Sequence, residues 1–260
     1  MPVRKILLDL MKSERVTTTA MRRLGILFPP CGAEYEYYLY GEAAASDLRI
    51  SLMGARCKGG DREHEPRYLR ETASLENVLM AGRVLKPLKP DAVMWACTSG
   101  SFISGLAHAK QQVHALSEEL SCPASSTSLA FVQALNEIET SLVAVLGSYV
   151  EDTTLAFVRF LQEAGVTVTD HLSLGAPSGP DAARLDAEQF KSAACQLSIP
   201  KEGAILVPDT AVPTIHLLAE LSQMAGCTIL SANQVSIWQG LQMIGVDVNL
   251  EFWRDYCFPL

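Results

Sequence analysis

Short, wholly apolar runs alternate along this chain with longer stretches in which apolar residues return every three or four positions. Residues 24–28, 48–53, 92–96, 142–146, 166–170, 204–207 and 228–230 are the strand-like runs, and Pro29-Pro30 ends the first of them. Residues 68–88 carry Leu69, Leu75, Val78, Leu79 and Val84 at helical spacing. Residues 105–120, 153–164, 186–197, 212–224 and 234–244 read the same way. A polar loop at 58–66 and a Gly/Pro-rich loop at 175–180 break the pattern. Residues 1–20 read as an accessory helix or tail. The alternation along the remainder predicts an α/β fold, a parallel sheet with helices on both faces.

The pattern also repeats. SSTSLAFVQAL, beginning at Ser125, aligns with SANQVSIWQGL, beginning at Ser231, at an offset of 106 residues. AVMWACTSGSF aligns with AILVPDTAVPT at an offset of 112, and LGILFPP with LVAVLGSY at an offset near 118. Three matches in one order predict two similar α/β halves. They divide as 21–122 plus 228–260 and 123–227, with 1–20 as an N-terminal extension. Ligands of open parallel sheets bind beyond the carboxyl ends of the strands. The alignment sets Cys97 opposite Asp209 at the ends of equivalent strands, so facing halves would put a thiol and a carboxyl on opposite walls of one cleft.

Composition changes this picture little. At 260 residues, 48% apolar and 19% charged, the chain is an ordinary globular one. A formal net charge of −8 leaves no basic stripe for phosphates, which argues against a nucleic-acid partner. The seven cysteines (31, 57, 97, 122, 195, 227 and 257) are odd in number and form no CxxC pair, so free thiols in a reducing cytoplasm are expected. Arg4, Lys5, Asp9, Lys12, Glu14 and Arg15 interrupt every apolar run near the start, unlike a signal peptide. No run approaches the ~20 apolar residues of a membrane span. The expectation is a soluble cytoplasmic protein with no membrane partner; a homo-oligomer is left open.

Cys97 leads the candidates for chemistry. It follows an apolar run and precedes Thr98-Ser99-Gly100-Ser101, where a strand should give way to a helix N-terminus whose N–H groups would lower a thiol pKa. Its plainer reading is a buried structural cysteine. Thr98 and Ser99 suit a carboxylate or enediolate, and equally serve as helix caps. Asp209, followed by Thr210 and Ala211, is either a cap or the acid–base partner of Cys97, provided apolar surroundings raise its pKa. Tyr149 would donate to an oxyanion or simply pack. Pro29, Pro30 and, more weakly, Cys31 line the same cleft in this reading. His64, His108, His114, His171 and His216 show no metal-ligand spacing with the cysteines. No GxGxxG, Walker or GxSxG pattern occurs at the required places. A Cys–His hydrolase stays open, because histidine placement is spatial.

The segments LGILFPP, WACTSGSF, VLGSYVEDT, ILVPDTAVPT and ILSANQVSIWQGL together resemble the maleate isomerase/arylmalonate decarboxylase family, within the wider Asp/Glu/hydantoin racemase superfamily. The resemblance spans roughly residues 22–245. It implies two Rossmann-like halves related by a pseudo-twofold axis, the site between them, and neither cofactor nor metal. It implies that a cysteine at the position of Cys97 adds to the alkene of maleate in the isomerases. In the decarboxylases it implies a glycine there, a proton-donating cysteine at the position of Asp209, and a dioxyanion hole from residues matching Thr98, Ser99 and Tyr149. This chain keeps the first cysteine, has Asp209 for the second, and carries the Thr-Ser-Tyr set. The expected function is cofactor-independent, maleate-type cis–trans isomerisation of a small mono- or dicarboxylate, through a Cys97 adduct with Asp209 as acid and base. Decarboxylation of a substituted malonate is the alternative, followed by an Asp/Glu-type racemase or a non-catalytic carboxylate-binding protein.

Overall fold

The computed structural model describes residues 21–199 and 202–250. The predicted extension at 1–20, the end of the chain beyond 250 and Cys257 lie outside the described residues. Two four-stranded parallel sheets carry the fold. The first has β1 (Arg22–Phe28), β2 (Leu48–Gly54), β3 (Ala92–Trp95) and β4 (Ala124–Ser126) in the order β2-β1-β3-β4. The second has β5 (Leu142–Tyr149), β6 (Thr167–Ala176), β7 (Ala204–Val207) and β8 (Thr228–Ser231) in the order β6-β5-β7-β8. Each sheet repeats the other four strands later. The two similar halves read from the repeat are present.

Period-two alternation sorts the first sheet's side chains between two cores. Leu24, Ile26, Ala92 and Met94 enter the main core, which continues through β5 and β7 of the second half. Leu27, Val93 and Trp95 point the other way, into a smaller cluster with Val78, Leu85 and Leu116. Those last three come from α3 (Leu75–Leu85) and α5 (Gly105–Leu120). α1 (Tyr35–Ala44) packs on β2, and α11 (Ala232–Met243) packs on β3, β4 and α1. Gly240 lets α11 lie flat on the sheet, because a Cβ there would stand 2.7 Å from Leu24 Cδ2. α6 (Thr127–Glu137) packs against α11, and the Thr127 and Ser236 hydroxyls meet at 2.7 Å. These two helices are the repeat partners SSTSLAFVQAL and SANQVSIWQGL. Equivalent elements in contact are what a pseudo-twofold axis between the halves requires.

Strand pairing draws the halves differently from the sequence division. β4 lies in 123–227 yet pairs with β3, and β8 lies in 228–260 yet pairs with β7. The exchange comes one element later: α11 leaves the second sheet and covers the first. The predicted helix 68–88 is two helices, α2 (Pro66–Thr72) and α3, because the Ser74 hydroxyl caps α3 by accepting from Asn77 N. The remaining helices are α4 (Thr98–Phe102), α7 (Glu151–Glu163), α8 (Gly179–Ala182), α9 (Ala187–Ala194) and α10 (Leu218–Ala225). α10 starts six residues later than predicted, after a loop that runs from Asp209.

That loop is tied to the first half by a carboxyl group. Glu36, on α1 and fully buried, accepts from Ile215 N at 2.7 Å and from Asn233 Nδ2 at 2.8 Å. Asn233 also donates to the Thr210 carbonyl at 3.2 Å. Burial raises the Glu36 pKa from 4.5 to about 7, against the pull of these donors. Between those pH values the folded chain holds a proton that the unfolded chain has released, so stability falls as pH rises. Glu36→Gln should remove this slope, gaining on the wild type by roughly 3 kcal/mol from pH 4.5 to 7, as about 1.4 kcal/mol per pKa unit requires. Urea midpoints across that range check it; parallel slopes in the two proteins would contradict it.

Candidate active site

In a parallel sheet every loop that follows a strand emerges at the same edge. The loops after β1, β2 and β3 therefore face those after β5, β6 and β7 across the seam between the halves. Cys97 follows β3 by two residues and is the N-cap of α4, with 3% of its surface exposed. Its Sγ accepts from Gly100 N at 3.3 Å and lies 3.9 Å from Ser99 Oγ. The turn has room for sulfur because residue 100 is glycine; a Cβ there would come within 2.8 Å of Sγ and 3.0 Å of Trp95. The expectation of a lowered thiol pKa is overturned. Burial raises it, and the Gly100 and Ser99 donors only partly offset that cost.

Asp209 stands across the seam, after β7. Ser148 Oγ donates to its Oδ2, and Ala211 N donates to Oδ1 at 2.9 Å. His64 Nε2 lies 3.9 Å from Oδ2. Burial raises the Asp209 pKa, opposed by His64, Ser148 and the Ala211 N–H. A carboxyl that takes up a proton more readily than usual is the state required of an acid–base partner.

A cavity of about 30 Å³ lies between these groups, enough for a water molecule and far too small for a dicarboxylate. Pro29, Cys31, Cys97, Ser99, Asp209, Thr210 and Ala211 line it, as the sequence suggested. Thr98 and Tyr149 sit behind this lining, fully buried. The Thr98 and Ser99 hydroxyls lie close enough to Tyr149 OH to pull its pKa down against burial, although no well-aligned hydrogen bond closes on Thr98 Oγ1 or Tyr149 OH. Unpaired buried hydroxyls are costly, and an anion's oxygens would satisfy them. Pro30 is the exception. It is exposed, against the end of β2, and does not reach the cavity. Burial raises the Cys31 thiol beyond the usual range, and its S–H donates to the Pro29 carbonyl at 3.1 Å. Cys57 is pushed up to about 12 for the same reason.

The sequence reading missed Cys57, Glu63, His64, Ser148 and Gly179, which the structure also brings here. Three of them belong to the polar loop after β2. The only signal was topological: a loop following a strand opens on the same edge as Cys97. That loop is clipped to the second half. His64 N donates to the Pro177 carbonyl at 2.9 Å, Thr153 Oγ1 donates to the His64 carbonyl at 2.5 Å, and Gly179 N donates to Glu63 Oε1 at 2.7 Å.

Paired parallel sheets with a cysteine and a carboxyl facing one seam define the class, and comparison with known proteins gives the family. The arylmalonate decarboxylase family model matches residues 71–252. Arylmalonate decarboxylase of Bordetella bronchiseptica is 23% identical over 66% of this chain and 73% of its own length. Maleate isomerase of Nocardia farcinica is 21% identical over 61% of this chain and 66% of its own. A solved maleate cis–trans isomerase from N. farcinica, a cysteine-to-serine mutant with a covalently bound succinylcysteine intermediate, superposes with a TM-score of 0.76. It is 18% identical over 91% of this chain and 99% of that one. The chain belongs to the arylmalonate decarboxylase family.

The packing at Gly100 yields a direct test. Gly100→Ala should cost about 1–3 kcal/mol through overpacking against Sγ and Trp95, and should slow alkylation of Cys97. Thermal unfolding and peptide-resolved mass spectrometry read the two effects; unchanged values in both would contradict the contact.

Proposed function

We propose that this protein is a cofactor-independent isomerase that interconverts the cis and trans forms of a small unsaturated carboxylate through a covalent adduct at Cys97. The observation that carries the reading is the pairing of the Cys97 sulfur and the Asp209 carboxyl on opposite walls of one buried cavity. The thiolate of Cys97 adds to the carbon–carbon double bond, and the displaced electron pair moves onto the substrate carboxylate as an enediolate. Thr98, Ser99 and Tyr149 supply hydroxyl donors for those oxygens as charge develops on them. The former double bond is now single and rotates. The electron pair returns, the C–S bond breaks and the trans alkene leaves. Asp209, a readier proton acceptor than usual because it is buried, serves as acid and base beside the substrate and so limits the charge built up in an apolar seam. The succinylcysteine intermediate in the N. farcinica relative supports an adduct of this kind.

Decarboxylation of a substituted malonate is the second reading. The unpaired Thr98 and Tyr149 hydroxyls favour it, since they would serve an enediolate left by loss of CO₂ as well. Proton NMR in D₂O on maleate and a panel of substituted malonates separates the two. Isomerisation conserves carbon, whereas decarboxylation evolves CO₂ and leaves one deuterium at Cα. The isomerase reading expects fumarate from maleate, a loss of at least about a thousandfold in Cys97→Ser, and a loss of about 10²–10⁴-fold in Asp209→Asn. Turnover unaffected by Cys97→Ser would overturn it.

A further inference from the structure

Cys97 must lose a proton before its sulfur can add to anything, and burial makes that loss harder. The geometry points to His64 as the general base that takes this proton and later returns it, an inference that rests on Cys97 being the reacting group.

Three observations converge on the imidazole. Its Nδ1 lies 3.0 Å from the Ala176 carbonyl, which can only accept, so Nδ1 carries hydrogen and Nε2 presents a lone pair. His64 lines the cavity that Cys97 and Ser99 also line, and its Nε2 lies 3.9 Å from Asp209 Oδ2. That separation is too long for a hydrogen bond, so Asp209 does not take up the Nε2 lone pair. The residue is also held in place: its backbone is clipped by Pro177 and Thr153, and its ring meets Tyr149 edge-on with centroids 4.8 Å apart. A buried histidine fixed in one tautomer, with Nε2 free and a thiol and a carboxyl on the same small cavity, can take a proton from that thiol directly or through one water.

The proton count closes. The Cys97 S–H bond breaks and an Nε2–H bond forms, leaving a thiolate and an imidazolium beside the Asp209 carboxyl group. The sulfur pair then forms the C–S bond with substrate. When that bond breaks, the pair returns to sulfur and the same proton returns to Cys97. The titratable groups around the ring are Asp209 from the loop after β7, Tyr149 from the end of β5, the neighbouring Glu63, and the thiols of Cys31, Cys57 and Cys97. Among the described residues, Asp209 alone brings a carboxyl oxygen within 4 Å of the ring nitrogens.

The test needs no substrate. Alkylation of Cys97 by iodoacetamide is followed by peptide-resolved mass spectrometry from pH 5 to 10 in the full-length protein, in His64→Asn and in Thr153→Val. The wild type should show a fast reaction arm at neutral pH. In His64→Asn that arm should fall at least tenfold, leaving only the rise at high pH where the thiol ionises unaided. Thr153→Val cuts the backbone clip and keeps the ring, so it should retain the neutral arm even if its overall rate changes. A His64→Asn profile of wild-type shape, whether faster or slower throughout, would overturn the assignment and leave His64 a structural clip. Turnover by the wild type that Cys97→Ser abolishes would still stand in that case. An absent isomerase activity, conversely, would leave the alkylation profile to decide the role of His64.

Discussion

At the seam between the halves, groups that can carry negative charge are taken out of water with no lysine or arginine lining the cavity beside them. Cys97, Asp209, Tyr149 and Glu36 all have their proton affinity raised by burial as the largest cause. An isolated charge is expensive in such surroundings, so what stabilises it are hydrogen-bond donors: Gly100 N–H at the sulfur, Ser148 and Ala211 at Asp209, Ile215 and Asn233 at Glu36. The seam thus holds protons more tightly than water would. Behind the cavity lining lie the buried hydroxyls of Thr98 and Tyr149.

The duplicated topology is what creates that seam. Two sheets with the same strand order turn the carboxyl ends of β3 and β7 toward each other, and the helices that cross between them, α6 and α11, bury the join in one continuous core. Loops then finish what strands begin. The segment after β2 reaches over to the second half and is held there by three hydrogen bonds, leaving a cavity of about 30 Å³. That volume is less than a small carboxylate occupies.

Much of this was legible in residue order. The apolar runs marked seven of the eight strands, and the 106- and 112-residue offsets aligned elements that occupy equivalent places in the two sheets. The same alignment singled out Cys97 and Asp209. What escaped has physical reasons. β4 is only three residues long and polar, so no apolar run announces it. α1 buries Tyr37, Tyr40 and a glutamate, a face that hydrophobic periodicity does not flag. His64 lies in a polar loop whose importance comes from where β2 ends, not from its own pattern. The Cys97 thiol pKa was misjudged because helix-end donors are visible in sequence and burial is not. Pro30 sits next to a lining residue in sequence, but the chain turns it outward.

The central claim is that a sulfur atom and a carboxyl group work on one bound carboxylate. Trapping tests it most directly. Asp209→Asn protein is incubated with maleate, quenched in acid and digested, and the peptide bearing Cys97 is examined by mass spectrometry. The account predicts a mass increase on that peptide equal to one maleate, fragmenting at Cys97 and absent from Cys97→Ser. The same increase on Cys31 or Cys57 in place of Cys97, in protein that still turns maleate over, would contradict it.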